Sequence, residues 1–160
     1  MDYLTKIMTL PQAQARRQAL AVQGRKLVFT NGCFDLLHPG HLRYLAEARA
    51  LGDFLLVGLN SDRSISALKG PTRPVCPEAV RAEMLAGLAA VDAVVVFDAD
   101  TPLDLITALV PDVLVKGGDW AVEQIVGGTL VLERGGEVRS LLLAEGFSTT
   151  ALIERIMGRA

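Results

Sequence analysis

Short apolar runs alternate with amphipathic segments along most of the chain. Five of these runs have the length and the Val, Leu and Phe content of buried strands, and they cover 26–30, 54–59, 93–97, 113–116 and 138–142. The segments between and after them have apolar residues at helical spacing and predict helices over 40–51, 77–89, 102–109 and 148–157. This alternation is typical of right-handed βαβ units. We therefore predict an α/β fold with a doubly wound, five-stranded parallel sheet.

The N-terminal segment departs from this alternation. Residues 4–22 have helical spacing that is interrupted at Pro11, and the segment ends at Gly24. We interpret residues 1–23 as a helical appendage and residues 24–157 as the core of the fold. The sequence contains no internal repeat, low-complexity tract or linker, so we expect a single domain over residues 1–160.

Composition narrows the class of protein. The chain is 51% hydrophobic but only 5% aromatic, which suits a parallel sheet buried on both faces. A net charge of −2 provides no basic field for nucleic acid or an anionic membrane. The two cysteines are too few for a disulfide scaffold, and no signal peptide or membrane-spanning run of roughly 20 apolar residues is present. We expect a cytoplasmic enzyme without nucleic-acid or membrane partners.

Polar residues follow most of the predicted strands. Residues 30–35 follow the first strand, 60–62 the second and 116–119 the fourth, while 148–150 lie beyond the fifth. Ligands of doubly wound sheets bind outside the carboxyl ends of the strands, near the point where the strand order reverses. We therefore expect these residues to meet at one edge of the sheet.

Both histidines of the chain lie in one four-residue stretch, His38-Pro39-Gly40-His41. Pro39 suits the first turn of a helix, and Gly40 allows a ligand to approach the backbone. The pair is compatible with a zinc site, with two buried structural histidines, or with donors to phosphate oxygens at a helix N-terminus. Zinc requires further ligands that the sequence does not supply, so we expect no metal site and favour phosphate.

A phosphate site of this kind suits nucleotidyl transfer. In that reaction a phosphate attacks the α-phosphorus of a nucleotide, and catalysis depends on positioning and on preorganised positive donors. The absence of a Ser-His-Asp set and of a Walker loop agrees with this chemistry. Lys69 and Arg73, in the loop 68–74, either close over an anionic substrate or are solvated loop cations. Lys116 ends an apolar strand, which favours a ligand role.

Each of the other candidate residues has two alternative interpretations. Asp119 either orients a ribose hydroxyl or caps the next segment, and Trp120 either stacks on a base or packs, with packing favoured. Residues 148–150 offer hydroxyl and N–H groups to a triphosphate, or they cap the helix that follows. Asp35 either stabilises its turn, which we favour, or helps to hold Mg²⁺.

The run Gly32-Cys33-Phe34-Asp35-x-x-His38-x-Gly40-His41 resembles the signature of the cytidylyltransferase-like nucleotidyltransferases, and Ser148-Thr149-Thr150 resembles their second motif. Cys33 is a departure, since threonine, serine or valine is commoner there. Further segments resemble the adenylyltransferases that form ADP-heptose from D-glycero-β-D-manno-heptose 1-phosphate. These segments are 60–62, 68–70, 73–74, 90–92, 100–102 and 115–120, and the whole resemblance covers 24–157.

The resemblance implies a Rossmann-like nucleotidyltransferase fold and a complete reaction. Mg²⁺ with ATP would be the donor, a heptose 1-phosphate the acceptor, and ADP-heptose and pyrophosphate the products, for the inner core of lipopolysaccharide. It also implies a homodimer. Because the chain has no room for a sugar kinase, a separate heptose kinase would act upstream.

The resemblance also assigns roles by position. The residues expected to act on the phosphates in catalysis are His38, His41 and Lys69. The residues expected to contact the nucleotide are Thr30, Asn31, Gly32, Cys33, Phe34, Gly40, Lys116, Gly117, Gly118, Asp119, Ser148, Thr149 and Thr150. The residues expected to contact the acceptor are Asp35, Asn60, Asp62 and Arg73.

Two kinds of alternative stay open. The same scaffold serves glycerol-3-phosphate cytidylyltransferases and FAD-forming adenylyltransferases, which differ in the base and the acceptor. A module that binds a nucleotide without turning it over would belong to a different class.

Overall fold

In the computed structural model, which describes residues 2–142 and 146–158, five strands form one fully parallel sheet. The strands are β1 (Leu27–Gly32), β2 (Phe54–Asn60), β3 (Ala93–Phe97), β4 (Val113–Gly117) and β5 (Glu137–Leu141), in the order β3-β2-β1-β4-β5. The predicted five-stranded α/β fold is confirmed.

Seven α-helices accompany the strands in the part of the chain that the structure describes. They are α1 (Leu10–Val22), α2 (Pro39–Arg49), α3 (Asp62–Lys69), α4 (Glu78–Ala86), α5 (Leu103–Leu109), α6 (Gly128–Glu133) and α7 (Thr149–Ile156), with 3-10 turns at Tyr3–Lys6 and Val122–Gln124. None of the helices within the described ranges is long and apolar enough to cross a membrane.

The sequence did not reveal two of these helices. α3 is short, and its start lies in the polar stretch that we assigned to a strand end, where Ser61 caps the helix by accepting a hydrogen bond from the backbone of Ser64. α6 has only six residues and begins beside Gly127, which adopts a left-handed conformation with φ 81°. Both starts carry residues that are also typical of loops.

Helices cover both faces of the sheet. One apolar cluster places residues of α1, α5 and α6 against side chains such as Phe29 and Leu114, while the other places α2 and α4 against the alternate side chains, such as Val28 and Val115. The N-terminal segment is part of this packing, because Ala13 and Leu20 of α1 are buried in the first cluster.

The sheet order creates a crevice at one edge. The chain passes from β1 to β2 on one side and later places β4 on the other side of β1. The connections that leave β1 and β4 therefore diverge at the carboxyl ends of these two strands, and a ligand site is expected there.

Candidate active site

A cavity of about 560 Å³ occupies the carboxyl edge of the sheet. It is lined by residues from the ends of β1, β2 and β4, from α3, and from the start of α7. Twelve of the residues expected from the sequence line it, and these are Asn31, Gly32, Cys33, Phe34, Asp35, His41, Asn60, Lys69, Arg73, Lys116, Gly117 and Thr149. The structure thus brings together segments that lie more than 100 residues apart in the chain.

The two histidines form a stacked pair at the N-terminus of α2. His38 is the N-cap residue, Pro39 occupies the first turn, and His41 follows one turn later. The imidazole centroids lie 3.8 Å apart, with the ring planes 19° from parallel. His41 lines the cavity, whereas His38 lies behind it. Within the described part of the chain, the Nδ1 atom of each ring is buried without a hydrogen-bond partner.

Burial favours the neutral form of both rings. It lowers the pKa of His38, and it is the main cause that lowers the pKa of His41 to about 4. Repulsion from Lys69, and from His38 whenever that ring is protonated, lowers the pKa of His41 further, while Asp35 opposes the shift. Each neutral ring carries a single N–H, which can donate one hydrogen bond. No group of three His, Cys, Asp or Glu side chains suited to a metal ion occurs among residues 2–142 and 146–158.

Gly40 serves the packing of the histidines. A Cβ atom at this position would lie 3.0 Å from Nδ1 of His38 and 3.2 Å from Cβ of Phe147. Gly40 is buried and does not line the cavity. The structure thus gives Gly40 a packing role, because the space on its Cα side is filled by the His38 ring and Phe147.

Asp35 and Arg73 neutralise each other. The buried carboxylate of Asp35 accepts hydrogen bonds from Nε of Arg73 at 3.0 Å and from the backbone N–H groups of Val75 and Cys76 at 2.8 and 3.0 Å. Burial raises the pKa of Asp35, but these donors outweigh it and leave the pKa below its usual value. The structure supports the turn-stabilising interpretation of Asp35, since its carboxylate is already engaged.

The same contacts change the interpretation of Arg73. Its side chain is only 11% exposed, so it is not the solvated loop cation considered above. One nitrogen, Nη2, is buried without a partner within the described ranges. In the described ranges, Nη2 of Arg73 is therefore available to donate a hydrogen bond to a bound anion.

Two lysines reach the cavity from different elements. Lys69 is exposed and ends α3, so its assignment to a loop is wrong. Lys116 belongs to β4 and is half-buried, and this burial lowers its pKa. Lys69 and Lys116 thus bring two cations to the cavity that also contains His41.

The polar residues after β2 have mainly internal partners. Nδ2 of Asn60 donates to Oγ of Ser64 at 2.9 Å. The carboxylate of Asp62 accepts a hydrogen bond from Arg81 at 2.8 Å, and Asp62 does not line the cavity. This geometry disagrees with direct acceptor binding by Asp62, because its carboxylate turns to the buried Arg81.

The residues at the start of α7 have different roles. Ser148 caps the helix by accepting from the backbone N–H of Ala151 at 3.0 Å, which is the capping alternative. Thr149 lines the cavity, and its hydroxyl donates to the backbone oxygen of Asp35 at 2.8 Å. Thr150 is exposed and lies outside the cavity lining.

Three other expected nucleotide contacts lie outside the cavity lining. The buried hydroxyl of Thr30 pairs with that of Tyr44 at 2.6 Å, so its side chain serves the core. Asp119 is exposed, and Gly118 has φ 116°, a conformation that favours glycine.

Trp120 is not a core residue, although packing was favoured. Its side chain is 47% exposed, and its indole N–H donates to the carbonyl of Gly117 at 3.1 Å. It lines both the main cavity and an adjoining pocket of about 180 Å³, which is otherwise largely apolar and includes Gln124, Ile125 and Val126.

The sequence interpretation missed one wall of the site. Asp100, Thr101 and Pro102, which follow β3, also line the cavity. The signal was available, since these polar residues follow a predicted strand in the same way as the others. The sequence analysis counts the segment 100–102 among those that resemble ADP-heptose-forming enzymes but assigns it no contact with a ligand.

The sequence pattern of the cytidylyltransferase-like family matches residues 29–155, a range that includes every residue named here as lining the main cavity. This chain belongs to the cytidylyltransferase-like family. It is accordingly a nucleotidyltransferase, and the cavity at the carboxyl edge is where a family member with this topology is expected to bind its nucleotide.

Similar proteins agree with this membership. The bifunctional protein HldE of Syntrophotalea carbinolica is 56% identical over an alignment of 162 positions, which covers 99% of this chain and 32% of that protein. HldE of Caulobacter vibrioides is 56% identical over 151 residues, which are 94% of this chain and 31% of that protein. The chain therefore spans about a third of the length of these relatives.

Solved structures give the same fold. A lipopolysaccharide core biosynthesis protein from Thermoplasma volcanium is 26% identical, with a TM-score of 0.59 over 76% of this chain and 98% of that one. A pantothenate synthetase from Thermus thermophilus has a TM-score of 0.61 over 96% of this chain and 69% of that one, and at 17% identity it supports the fold alone.

Proposed function

We propose that this nucleotidyltransferase transfers the adenylyl group of ATP to D-glycero-β-D-manno-heptose 1-phosphate, for the inner core of lipopolysaccharide. The products are ADP-heptose and pyrophosphate. The observation that carries the proposal is the convergence of His41, stacked on His38, with Lys69 and Lys116 in one cavity.

The reaction makes one bond and breaks one bond. A phosphate oxygen of the sugar phosphate attacks the α-phosphorus of ATP, and the bond from that phosphorus to the leaving pyrophosphate breaks. The bonding electrons leave with pyrophosphate. Negative charge grows on the α-phosphoryl oxygens and on the leaving group, so preorganised donors stabilise the transition state.

The side chains of the cavity are suited to this charge. The neutral ring of His41 donates an N–H to a phosphoryl oxygen, and His38 supports the orientation of that ring through the stack. Lys69 and Lys116 add positive charge from α3 and β4. The N-terminus of α2 favours the same anion through its helix dipole.

Mg²⁺ enters this proposal as part of the Mg-ATP substrate. The Asp35 carboxylate already accepts three hydrogen bonds, which leaves it poorly suited to a metal ion. Among the described residues that line the cavity, Asp100 is the remaining carboxylate. Mg²⁺ commonly keeps several waters and binds through substrate phosphates with one or two carboxylates, so this donor set fits an ion held mainly by the triphosphate.

The identity of the acceptor is supported by where the resembling segments lie. Residues of the segments 68–70, 73–74, 100–102 and 115–120 that resemble ADP-heptose-forming enzymes line the main cavity. The similarity to a lipopolysaccharide core biosynthesis protein agrees with this acceptor. The adjoining pocket beside Trp120 offers an apolar site for the adenine base. A second copy of the chain is the proposed partner, and a heptose kinase activity supplies the sugar phosphate in a cytoplasmic pathway.

Pyrophosphate release tests the proposal. The chain is assayed with ATP or CTP as donor and with heptose 1-phosphate or glycerol 3-phosphate as acceptor. We expect turnover with ATP and heptose 1-phosphate. Turnover only with CTP and glycerol 3-phosphate would favour a glycerol-3-phosphate cytidylyltransferase. Formation of FAD from ATP and FMN would favour an FAD-forming adenylyltransferase. Nucleotide binding without any turnover would favour the non-catalytic module.

A further inference from the structure

Arg81 is a buried arginine that binds the walls of the cavity without reaching the cavity itself. Its side chain is 1% exposed and is one of the largest fully buried side chains in the described part of the chain. A buried charge is costly unless it is paired and its N–H groups have acceptors. The stability of the buried Arg81 charge therefore depends on the groups that accept its hydrogen bonds.

The guanidinium donates to four separate places. Nε donates to the carbonyl of Cys76 at 2.9 Å, and Nη1 donates to the carbonyls of Cys33 at 2.7 Å and Asn60 at 2.9 Å. Nη2 donates to the carboxylate of Asp62 at 2.8 Å. We call this set, Arg81 with Cys33, Asn60, Cys76 and Asp62, the Arg81 cluster.

Each partner belongs to a segment that forms or supports the site. Cys33 lies in the loop that leads to the histidines, and Asn60 ends β2. Asp62 begins α3, which ends at Lys69. Cys76 also donates its N–H to Asp35, so the Arg81 cluster is continuous with the Asp35–Arg73 pair.

The loop held by the Arg81 cluster has an unfavourable backbone. Phe34 and Leu36 have φ angles of 45° and 54°, a region that non-glycine residues seldom adopt. Such conformations persist when the surrounding contacts determine them. Here the carbonyl of Cys33 and the carboxylate of Asp35 are fixed on either side of Phe34.

We infer that Arg81 is a positioning residue for nucleotidyl transfer, which sets the distance between the histidine loop and the helix that carries Lys69. This inference rests on the proposed reaction at this cavity. The fork of the guanidinium reaches several acceptors at once, and a lysine has no equivalent geometry. A displacement of about 1 Å between reacting groups can cost about 100-fold in rate.

Arg17 provides a matched control. Nη1 and Nη2 of Arg17 bind the Asp112 carboxylate at 2.9 and 3.0 Å, and Nε donates to the carbonyl of Leu109 at 3.2 Å. Asp112 also accepts from the backbone N–H of Leu27, at the start of β1. Arg17 thus has a similar set of partners at the opposite edge of the sheet.

The test compares R81K with R17K at a temperature where both variants are fully folded. We expect kcat to fall by about 10- to 100-fold in R81K and to stay within about twofold in R17K. Equal and small changes in kcat for the two folded variants would overturn the inference, because Arg81 would then serve stability alone.

Two further measurements keep the inference testable. If R81K does not fold, D62N takes its place, and we expect a fall in kcat with little change in the KM of the sugar phosphate. Wild-type kinetics, or a change in that KM alone, would overturn the inference.

If the wild type does not use heptose 1-phosphate, the proposed function fails, and calorimetry with Mg-ATP then tests the positioning role of Arg81 by itself. Weaker ATP binding in R81K than in R17K would support the positioning role, and equal binding would overturn it.

Discussion

The imidazoles of His38 and His41 stack with their centroids 3.8 Å apart, and only the ring of His41 lines the cavity. The pair is therefore not two equivalent ligands. In the proposed reaction, His41 is the donor that contacts a phosphate, and His38 holds the ring of His41 in place through the stack.

Removal of either ring is expected to reduce the rate. H41A loses a preorganised donor, and kcat should fall by about 10²- to 10³-fold. H38A should fall on a similar scale because His41 loses its support. H41Q, which retains an N–H group, should keep more activity than H41A. Unchanged kcat in a folded H41A variant would remove His41 from the mechanism.

Gly40 offers a test of how finely the pair is positioned. In G40A the new Cβ would lie 3.0 Å from the His38 ring, so the ring or Phe147 must move, and kcat should fall by about tenfold. Gly87 is the control, because a Cβ there meets its nearest atoms at 3.5 Å with φ −68°. Equal kcat values for G40A and G87A would contradict this packing.

Phe147 contributes to the environment of His38. Its ring lies 6.1 Å from that of His38, centroid to centroid, with planes 17° from parallel. Because burial lowers the pKa of His38, F147A should raise that pKa toward 6.5, whereas F147L should change it less. NMR titration of the His38 ring measures both variants, and identical titration curves would show that Phe147 has no such effect.

The low pKa of His41 predicts a dependence of stability on pH. The unfolded chain binds a proton at His41 near pH 6.5, and the folded chain binds it only near pH 4. Protonation therefore favours unfolding between these values, and the free energy of unfolding should fall as pH is lowered through this window. H41N cannot bind the proton, so its urea-unfolding curves should lose part of this slope. Parallel pH profiles for H41N and the wild type would contradict the assignment.

Asp35 is expected to matter for folding. D35N leaves the buried Arg73 guanidinium without its carboxylate, which should lower the free energy of unfolding by about 3 kcal/mol. D104N, on the exposed side of α5, should change it by less than about 0.5 kcal/mol. Urea unfolding measures both. A D35N variant as stable as D104N would show that the pair contributes little.

The sequence predicts the sheet well because each strand is a short apolar run with its own local signal. The same holds for the two histidines, whose spacing of three places them on one side of a helical turn. A helix such as α3 is harder to predict, since it is short and starts within a polar stretch that also suits a loop. Local patterns therefore reveal the elements with long apolar periods and miss the short ones.

The buried ion pairs could not be predicted from local patterns. Arg81 and Asp62 are 19 residues apart, and Arg73 and Asp35 are 38 apart, so only the folded chain brings them together. Both arginines look like ordinary surface cations in the sequence. Because these arginines are buried, they take Asp35 and Asp62 as partners inside the protein. The positions of Asp35 and Asp62 after predicted strands do not reveal this.

The transfer of the α-phosphoryl group can be followed directly with labelled ATP. The chain is incubated with heptose 1-phosphate and either α-³²P- or γ-³²P-labelled ATP, and the products are separated. We expect the α label in ADP-heptose and the γ label in pyrophosphate, with both products forming about 10²- to 10³-fold more slowly in H41A. Appearance of the γ label in a sugar product, or of the α label only in AMP, would contradict nucleotidyl transfer at this site.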